Sequence, residues 1–443
     1  MNSFFHAYDL RGTYPEEISE KEAEKVGKAY GTFTEAETVL VGRDGRKHGE
    51  KITEAFIKGI KSTGTDVEYA GVVPTPLVYF AQVKNDFKSS AVVTASHNPS
   101  EYTGFKFCLE NALAMSREGG MRKIERIYNS KEFETGEGKE KQIELVEEYI
   151  NAVREKLGDL DLKVAVNCGN GVTGTMARKL FQELGCEIKT VNEEVDGDFP
   201  NHLPAPGEQE AQEQLQAQMT DEDLGIIFDG DGDRVGFILP GYGYIEEDKV
   251  IALFAEEALR VEKGSVVHDL RASKLVPEKI SEFDGKPEET RVGHTFISEK
   301  IHESSEVVFA GELSGHYYFP AYNFSWDDGL FAGVLMAKMA SEYDLNEKLK
   351  GFPEYPVSPE LRIDCPHKAK ELVIDKVAEH YSDYETSTVD GVKIYFENGW
   401  ALVRPSNTEE KMSVRCEADT KQDLGVILDE VEENVKNFIE ESS

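Results

Sequence analysis

The sequence predicts an α/β protein: three similar domains with mainly parallel sheets, then a smaller C-terminal α+β domain. Three observations carry that expectation. A short β-branched run ending abruptly in a polar, glycine-containing loop recurs six times. Helical apolar spacings fill the intervals between these runs, and the pattern changes after residue 356.

The six units are TVLVGRDGR (38–46), SSAVVTASHNP (89–99), LKVAVNCGNG (162–171), LGIIFDGDGDR (224–234), GSVVHDLRAS (264–273) and SEVVFAGELSGH (305–316). Continuous apolar runs of this length suit strands buried on both faces. Between them Ile52, Ala55, Phe56 and Ile60, and again Ala177, Leu180, Phe181 and Leu184, recur at helical spacing. Strand alternating with helix implies α/β layers, and six units in three pairs imply three such domains. The chain of 443 residues has room for two to four.

Composition breaks mark the boundaries. KEFETGEGKE (131–140), PGYGY (240–244) and GFPEYPVSP (351–359) divide the chain into 1–145, 146–243, 244–355 and 356–443. In the last segment, VKIYFENGWALVRPS and KMSVRCEA read as strands. They precede a helix with Leu424, Ile427, Leu428, Val431, Val435 and Phe438 on one face. That is the α+β domain.

The net charge of −36 argues against nucleic acid and anionic membranes as partners, since both require a basic face. It would also repel an anionic substrate, a handicap that salt screens; that fits a salt-rich cytoplasm, whereas the plentiful lysine, which strongly salt-adapted proteins often lose, points the other way. No run approaches the roughly 20 apolar residues of a membrane span, and the N-terminus reads as no secretory signal. Cys108, Cys168, Cys186, Cys365 and Cys416 are scattered and odd in number, as reduced thiols in a cytoplasm would be.

Ligands of open α/β sheets bind beyond the carboxyl ends of the strands, where all six polar loops fall. In DGDGDR, Asp229, Asp231 and Asp233 alternate with glycines and can converge on a hard cation; oxygen-only ligands favour Mg2+ or Ca2+ over zinc. The bland alternative is a solvated acidic turn. In TASHNP, Ser96 follows a buried strand and is flanked by His97 and Asn98, as a nucleophile or phosphate carrier would be. The same residues also make a good turn. A phosphate on Ser96 would need a neighbouring cation, and the aspartate loop would provide one.

RPSNTEE (404–410) offers an arginine, hydroxyls and turn N–H groups for a phosphate. In GELSGH, Glu312 and Ser314 have the polarity to read sugar hydroxyls. Arg11, Arg43, Arg46, Arg271 and Lys274 stand at other strand ends, where an anion would be held or a surface ion pair made. His294 in VGHTFI is also compatible with a satisfied, half-buried histidine. NCGNGVTG lacks the GxGxxG spacing and reads as a structural turn.

YDLRG (8–12), TASHNPSEYTGFK (94–106), DGDGDR (229–234), GELSGH (311–316) and GWALVRPSNTEE (399–410) resemble, in order, the motifs of the α-D-phosphohexomutases, in particular the phosphomannomutase/phosphoglucomutase branch. VPTP (73–76), PNHLPAP (200–206) and WDDG (326–329) extend the resemblance over the whole chain. It implies four domains around a central cleft, the last a mobile lid. The implied activity interconverts hexose 1-phosphate and hexose 6-phosphate through phosphoserine Ser96 and a bisphosphorylated sugar. Asp229, Asp231, Asp233 and phosphorylated Ser96 would hold Mg2+. Glu312 and Ser314 would read sugar hydroxyls, while Arg404, Ser406, Asn407 and Thr408 clamp a phosphate. Arg11, Lys106, Arg234, His294 and His316 fall at positions for phosphate contact or proton transfer, and His97 adjoins the phosphoserine.

Hexose 1,6-bisphosphate is the implied activator, sugar phosphates the implied partners, and a monomer or homodimer the implied state. Three departures stand out: Glu410 replaces a usual proline beside the clamp, Thr103 a common asparagine, and Arg271 a frequent lysine. If that lysine moves protons in relatives, the task here falls to Lys106 or a histidine, since arginine does not readily deprotonate. A phosphoglucosamine mutase is the neighbouring alternative; a non-catalytic sugar-phosphate-binding protein is the alternative from another class.

Overall fold

In the computed structural model, which describes residues 4–6, 9–406 and 409–442, the strands form four sheets. The first runs in the spatial order Leu10–Thr13, Tyr102–Leu109, Ser90–Val93, Thr38–Arg43, Asp66–Val72, Glu140–Gln142, with Leu113–Ala114 paired to Tyr102–Leu109. The second is Gly243–Tyr244, Val235–Leu239, Leu224–Phe228, Lys163–Asn167, Glu187–Val191, and the third Lys286–Thr290, Ser265–Asp269, Val307–Gly311, Tyr317–Phe319, Phe324–Asp327. All six recurrent runs are strands, and those of the second and third sheets are buried throughout or nearly so.

These three sheets are mixed, parallel on one side and antiparallel on the other. The mixture has one cause, repeated in each. After TVLVGRDGR, LKVAVNCGNG and GSVVHDLRAS the chain enters a helical segment. After the TASHNP, DGDGDR and GELSGH loops it returns as an antiparallel neighbour, pairing Val93 with Phe105, Phe228 with Val235 and Gly311 with Tyr317. The loops with the most chemistry are therefore hairpin tips between buried strands, held from both sides.

The fourth sheet, Leu361–Asp364, Lys411–Ala418, Gly399–Pro405, Val392–Phe396, Glu385–Ser387, is antiparallel throughout. Helices Lys370–His380 and Lys421–Ser442 pack against it, giving the α+β unit expected of the C-terminal segment. Its core, built from residues such as Val373, Ile394, Val414 and Val435, is separate. By contrast one apolar cluster runs unbroken from Leu40 through Val166 and Phe254 to Phe352, joining the first three sheets and their helices. The fourth unit meets the third over a small apolar seam of Leu270, Trp400 and Leu402. Lys393 and Tyr395 add contacts to Glu289, each at 2.5 Å.

All five cysteines are buried free thiols. Among the described residues no helix is long and apolar enough to cross a membrane.

Candidate active site

Strand Ser90–Val93 delivers Ser96 to a cleft of 360 Å³ lined by residues of the first three domains. Ser96 has a left-handed backbone (φ 49°), a conformation uncommon for a residue with a side chain. Two devices hold it there. The Thr94 hydroxyl accepts the Ser96 N–H at 2.9 Å and donates to Asp44 Oδ2 at 2.7 Å. The buried Arg46 guanidinium donates to four loop carbonyls: Ser96 (2.9 Å), Asn98 (2.6 Å), Pro99 (2.6 Å) and Tyr102 (3.0 Å). Arg46 is thus committed to backbone, and its charge is paired with Asp44 at 3.2 Å. The expectation of an anion holder is corrected for this residue. Arg43 is corrected likewise: it donates to the Tyr69 hydroxyl and the Asp44 carbonyl, away from the cleft.

The DGDGDR tip lies directly against this loop. Ser96 Oγ donates to Asp229 Oδ2 at 2.8 Å. The other Asp229 oxygen accepts the N–H groups of Gly232 (2.8 Å) and Arg234 (3.2 Å), which folds the tip back on itself. A Cβ at Gly230 would lie 2.5 Å from the Ser96 carbonyl oxygen, so the loops meet this closely only with glycine there. Asp229, Asp231 and Asp233 are fully buried, with one oxygen from each within 4.8 Å of the others. Lys106 reaches both Asp231, at 2.9 Å, and Asp233. The Thr75 hydroxyl donates to Asp231 at 2.7 Å.

Burial raises the Asp229 pKa well above the carboxylate range, and Asp233 and Asp231 add to the rise. Burial also opposes ionisation of Asp231 and Asp233, but the Lys106 ammonium leads the interactions that lower both. Burial resists the charge on Lys106 in turn; the two carboxylates overcome it and raise its pKa. Oδ1 of Asp231 and of Asp233 is buried without a hydrogen-bond partner. Three buried carboxylates, two of them with an unused oxygen, and a single lysine fit a hard divalent cation, and the all-oxygen donor set suits Mg2+.

His97 Nδ1 is 3.2 Å from Ser96 Oγ. Burial, then the nearby charges of Arg234 and Arg11, push its pKa down to about 3, so the ring is neutral around pH 7.

The third domain forms the facing wall. Ser314 donates to Glu312 at 2.8 Å. His316 Nε2 accepts from Arg234 Nε at 2.8 Å, where the two hairpin tips are also bridged through their backbones. Arg271 lines the cleft, paired with Asp269 at 2.9 Å and 3.9 Å from Glu312. Burial opposes its charge, but Asp269 outweighs that and keeps it a fixed cation. His294 stacks on His316 with centroids 5.6 Å apart, and burial lowers its pKa.

Arg11, Ser96, Lys106, Arg234, His294, Glu312, Ser314 and His316 therefore share one cleft, with the aspartates beneath it. Arg404 and Ser406 do not. They line a separate cavity of 170 Å³ in the fourth domain with Arg362, Lys411 and Ser413, and Arg404 is paired with Asp390 at 2.6 Å. Asn407 and Thr408 lie outside the described residues. Glu410 is not part of that cavity; its carboxylate accepts the His367 N–H at 3.3 Å. Thr75, Asp44 and Asp327 escaped reading from the residues as members of the site. Thr75 and Asp327 fall in VPTP and WDDG, which entered only as segments of the resemblance, and Asp44 falls in the recurrent unit TVLVGRDGR.

Four domain descriptions match the chain in order. They are the phosphoglucomutase/phosphomannomutase alpha/beta/alpha domains I (residues 2–135), II (144–241) and III (246–355), and the C-terminal domain (360–434). The chain is 34% identical over 434 residues to a phosphomannomutase/phosphoglucomutase of Pseudomonas aeruginosa, covering 95% of this chain and 93% of that one. It is 35% identical over 444 residues to a phosphomannomutase of Methanocaldococcus jannaschii, covering 98% and 97%. A solved phosphoglucomutase/phosphomannomutase family protein from Burkholderia thailandensis superposes with a TM-score of 0.90 at 32% identity, over 99% of this chain and 98% of the other.

Proposed function

The chain belongs to the phosphoglucomutase/phosphomannomutase family, and from that premise we propose that Ser96 is its phosphoryl carrier and the 360 Å³ cleft its sugar-phosphate site. The protein is a phosphohexomutase, an intramolecular phosphotransferase. The observation that carries the assignment is the 2.8 Å contact between Ser96 Oγ and Asp229. It brings the hydroxyl and the carboxylate trio together although they lie far apart in the chain.

In the forward half-reaction the O–P bond at Ser96 breaks as one forms to the free hydroxyl of bound hexose phosphate, leaving a hexose bisphosphate. The intermediate turns, its other phosphate returns to Ser96, and the isomeric monophosphate leaves. Hexose 1,6-bisphosphate would activate the enzyme by phosphorylating an empty Ser96. Phosphoryl transfer asks a protein mainly for positioning and charge stabilisation. Asp229, Asp231 and Asp233 would hold Mg2+, whose charge would offset that of the phosphoryl group. Arg234 and Arg11 supply fixed positive charge beside the serine, and Glu312 and Ser314 present an acceptor and a hydroxyl to the sugar.

Lys106 is held charged by its two carboxylates, which disfavours it as a base. His294, kept neutral by burial, is the group suited to take the sugar hydroxyl proton. The clamp of Arg404, Ser406, Asn407 and Thr408 would reach the distal phosphate on movement of the fourth domain about the Leu270–Trp400–Leu402 seam.

The test is Ser96→Ala with intact-protein mass and peptide mapping. The native protein should carry one phosphate on Ser96. The variant should carry none, keep its fold and lose the mutase activity. Near-native turnover by Ser96→Ala would sink the assignment.

A further inference from the structure

Two motifs that the chemistry above leaves unused, NCGNGVTG and PNHLPAP, meet behind the aspartate loop. Gly230, the residue that presses on the Ser96 carbonyl, is held by both. Its N–H donates to the Pro204 carbonyl at 3.1 Å, and its own carbonyl accepts the Val172 N–H at 3.1 Å. A Cβ at Gly171 would lie 2.9 Å from that carbonyl oxygen, and one at Gly230 would lie 3.2 Å from the Pro204 ring. No side chain separates the three segments, so how far Gly230 advances towards Ser96 is set from behind.

The segment Asn192–Pro204 runs from this contact to the first domain. Phe199 is buried, its ring 5.1 Å from the Arg46 guanidinium carbon. A Cβ at Gly197 would stand 2.5 Å from the Lys47 backbone nitrogen and 2.7 Å from Arg46 Cα. Lys47 pairs with Asp198. Arg46 in turn donates to the Ser96 carbonyl, the same oxygen that Gly230 packs against. The contacts close a ring: it leaves Ser96 through Arg46, follows the segment from Phe199 to Pro204, and returns through Gly230.

His202 anchors the middle of that segment. It is buried, and its Nδ1 lies 2.8 Å from the Leu203 carbonyl, which can only accept, so Nδ1 carries the ring proton. Nε2 is left as an acceptor, 3.0 Å from Asn167 Nδ2 and 3.2 Å from Asn192 Nδ2. Those asparagines stand at the carboxyl end of Lys163–Asn167 and just beyond that of Glu187–Val191. The imidazole thereby ties the segment to the ends of two sheet strands. Asn201 adds a second tie, donating to Asn170 Oδ1 at 2.7 Å.

We propose that His202 is a positioning residue for phosphoryl transfer. Through Pro204 on one side and Phe199 on the other, it fixes how closely the aspartate loop meets the Ser96 loop. Transfer depends steeply on such placement, because the reacting groups must be aligned before the step. Sugar recognition should be spared, since Glu312 and Ser314 sit on a hairpin of the third domain, outside the ring. The kinetic consequence rests on the phosphoserine reading; the effect on the loops rests on geometry alone.

The experiment compares His202→Gln, which retains an acceptor near the place of Nε2, with His202→Leu, which retains only bulk. In full-length His202→Leu, kcat and calorimetric Mg2+ affinity should each fall ~10–100-fold, the usual cost of losing support behind a metal's ligands. KM for hexose 1-phosphate should not move, and His202→Gln should recover most of both losses. Hydrogen exchange of the metal-free variant should quicken in peptides 94–102 and 229–234 together, leaving 311–316 unchanged. Phe199→Ala, at the other end of the segment, should reproduce the pattern. Ile238→Ala, buried in the second domain outside the ring, controls for lost stability and should reproduce none of it.

A rise in KM matching the fall in kcat, the same pattern in Ile238→Ala, or no rescue by His202→Gln would overturn the role. Exchange that quickens in only one of the two loops would break the ring. If His202→Leu does not fold, Phe199→Ala decides by the same measurements. An active Ser96→Ala would instead count against the phosphoserine reading, leaving Mg2+ affinity and hydrogen exchange to judge the positioning.

Discussion

Ser96 Oγ donates a hydrogen bond to Asp229 Oδ2 across 133 positions of sequence. That bond belongs to the free hydroxyl only. Were the oxygen esterified it would have no proton to give, and a phosphate of roughly −1.5 to −2 charges would sit against three buried carboxylates with one lysine among them. A phosphorylated Ser96 would need a cation where the free hydroxyl does not.

Metal removal should therefore destabilise the phosphoprotein more than the dephosphoprotein. Melting temperatures of the two forms, each with Mg2+ and with chelator, test this. Equal drops would mean that the aspartates hold no cation for the phosphate.

Gly230→Ala should separate the two loops. Its methyl would stand 2.5 Å from the Ser96 carbonyl, and backbone cannot yield as a side-chain tip can. Turnover should fall at least ~100-fold, as misplacement by about 1 Å does in positioned reactions, while circular dichroism stays native. Activity within a few-fold of normal would show that the loops can part without harm.

Arg46→Met removes the guanidinium that binds four carbonyls and pairs with buried Asp44. Breaking a buried pair from one side costs about 3–5 kcal/mol. The variant should lose stability on that scale in urea and expose the 94–102 loop to proteolysis. Arg46→Lys, able to satisfy only some of the carbonyls, should fall between. A variant as stable as the native protein would contradict the stapling role.

The pH dependence of stability has a defined sign at His97. Its folded pKa of about 3 lies below the ordinary 6.5, so between these values the unfolded chain binds the extra proton. Stability from this residue is fully present above pH 6.5 and is lost as pH falls towards 3. His97→Gln should flatten the acid side of the melting-temperature profile by one proton's worth of slope. An unchanged profile would mean that the ring titrates normally.

The net charge of −36 makes a prediction about salt. Screening shortens the Debye length to about 3 Å at 1 M. Sugar-phosphate turnover at low substrate and the melting temperature should therefore both rise in molar KCl. A decline in either would remove the case for a salt-adapted protein.

Residues that act through a local pattern were legible in the sequence. The alternating aspartates, the serine after a buried strand and the six apolar runs announce themselves within a dozen positions. Whether the chain turns back as a strand after such a loop does not. VGFIL after DGDGDR is an apolar run that suits a helix or a strand alike, and its pairing with LGIIF is settled only in three dimensions. Arg46 reads like any loop arginine until the Ser96 loop folds over it. Asp327 shows its proximity to two histidines only once Phe324–Asp327 takes the edge of the third sheet. The distance of Arg404 from the cleft depends on domain orientation, which a small seam sets and no local motif encodes.

The unbroken apolar cluster through the first three units sets a thermodynamic grain that differs from the domain grain. Three look-alike pieces are joined through this cluster, although the first also has one of its own around Val39, Phe56 and Phe105, so none should melt or be excised alone, and a lesion in the shared cluster should be felt at the serine. The C-terminal piece has its own interior and can loosen at the cost of only the small seam and the polar contacts beside it. On heating, the expected sequence is a small early transition from the C-terminal piece and a larger one from the remaining three together.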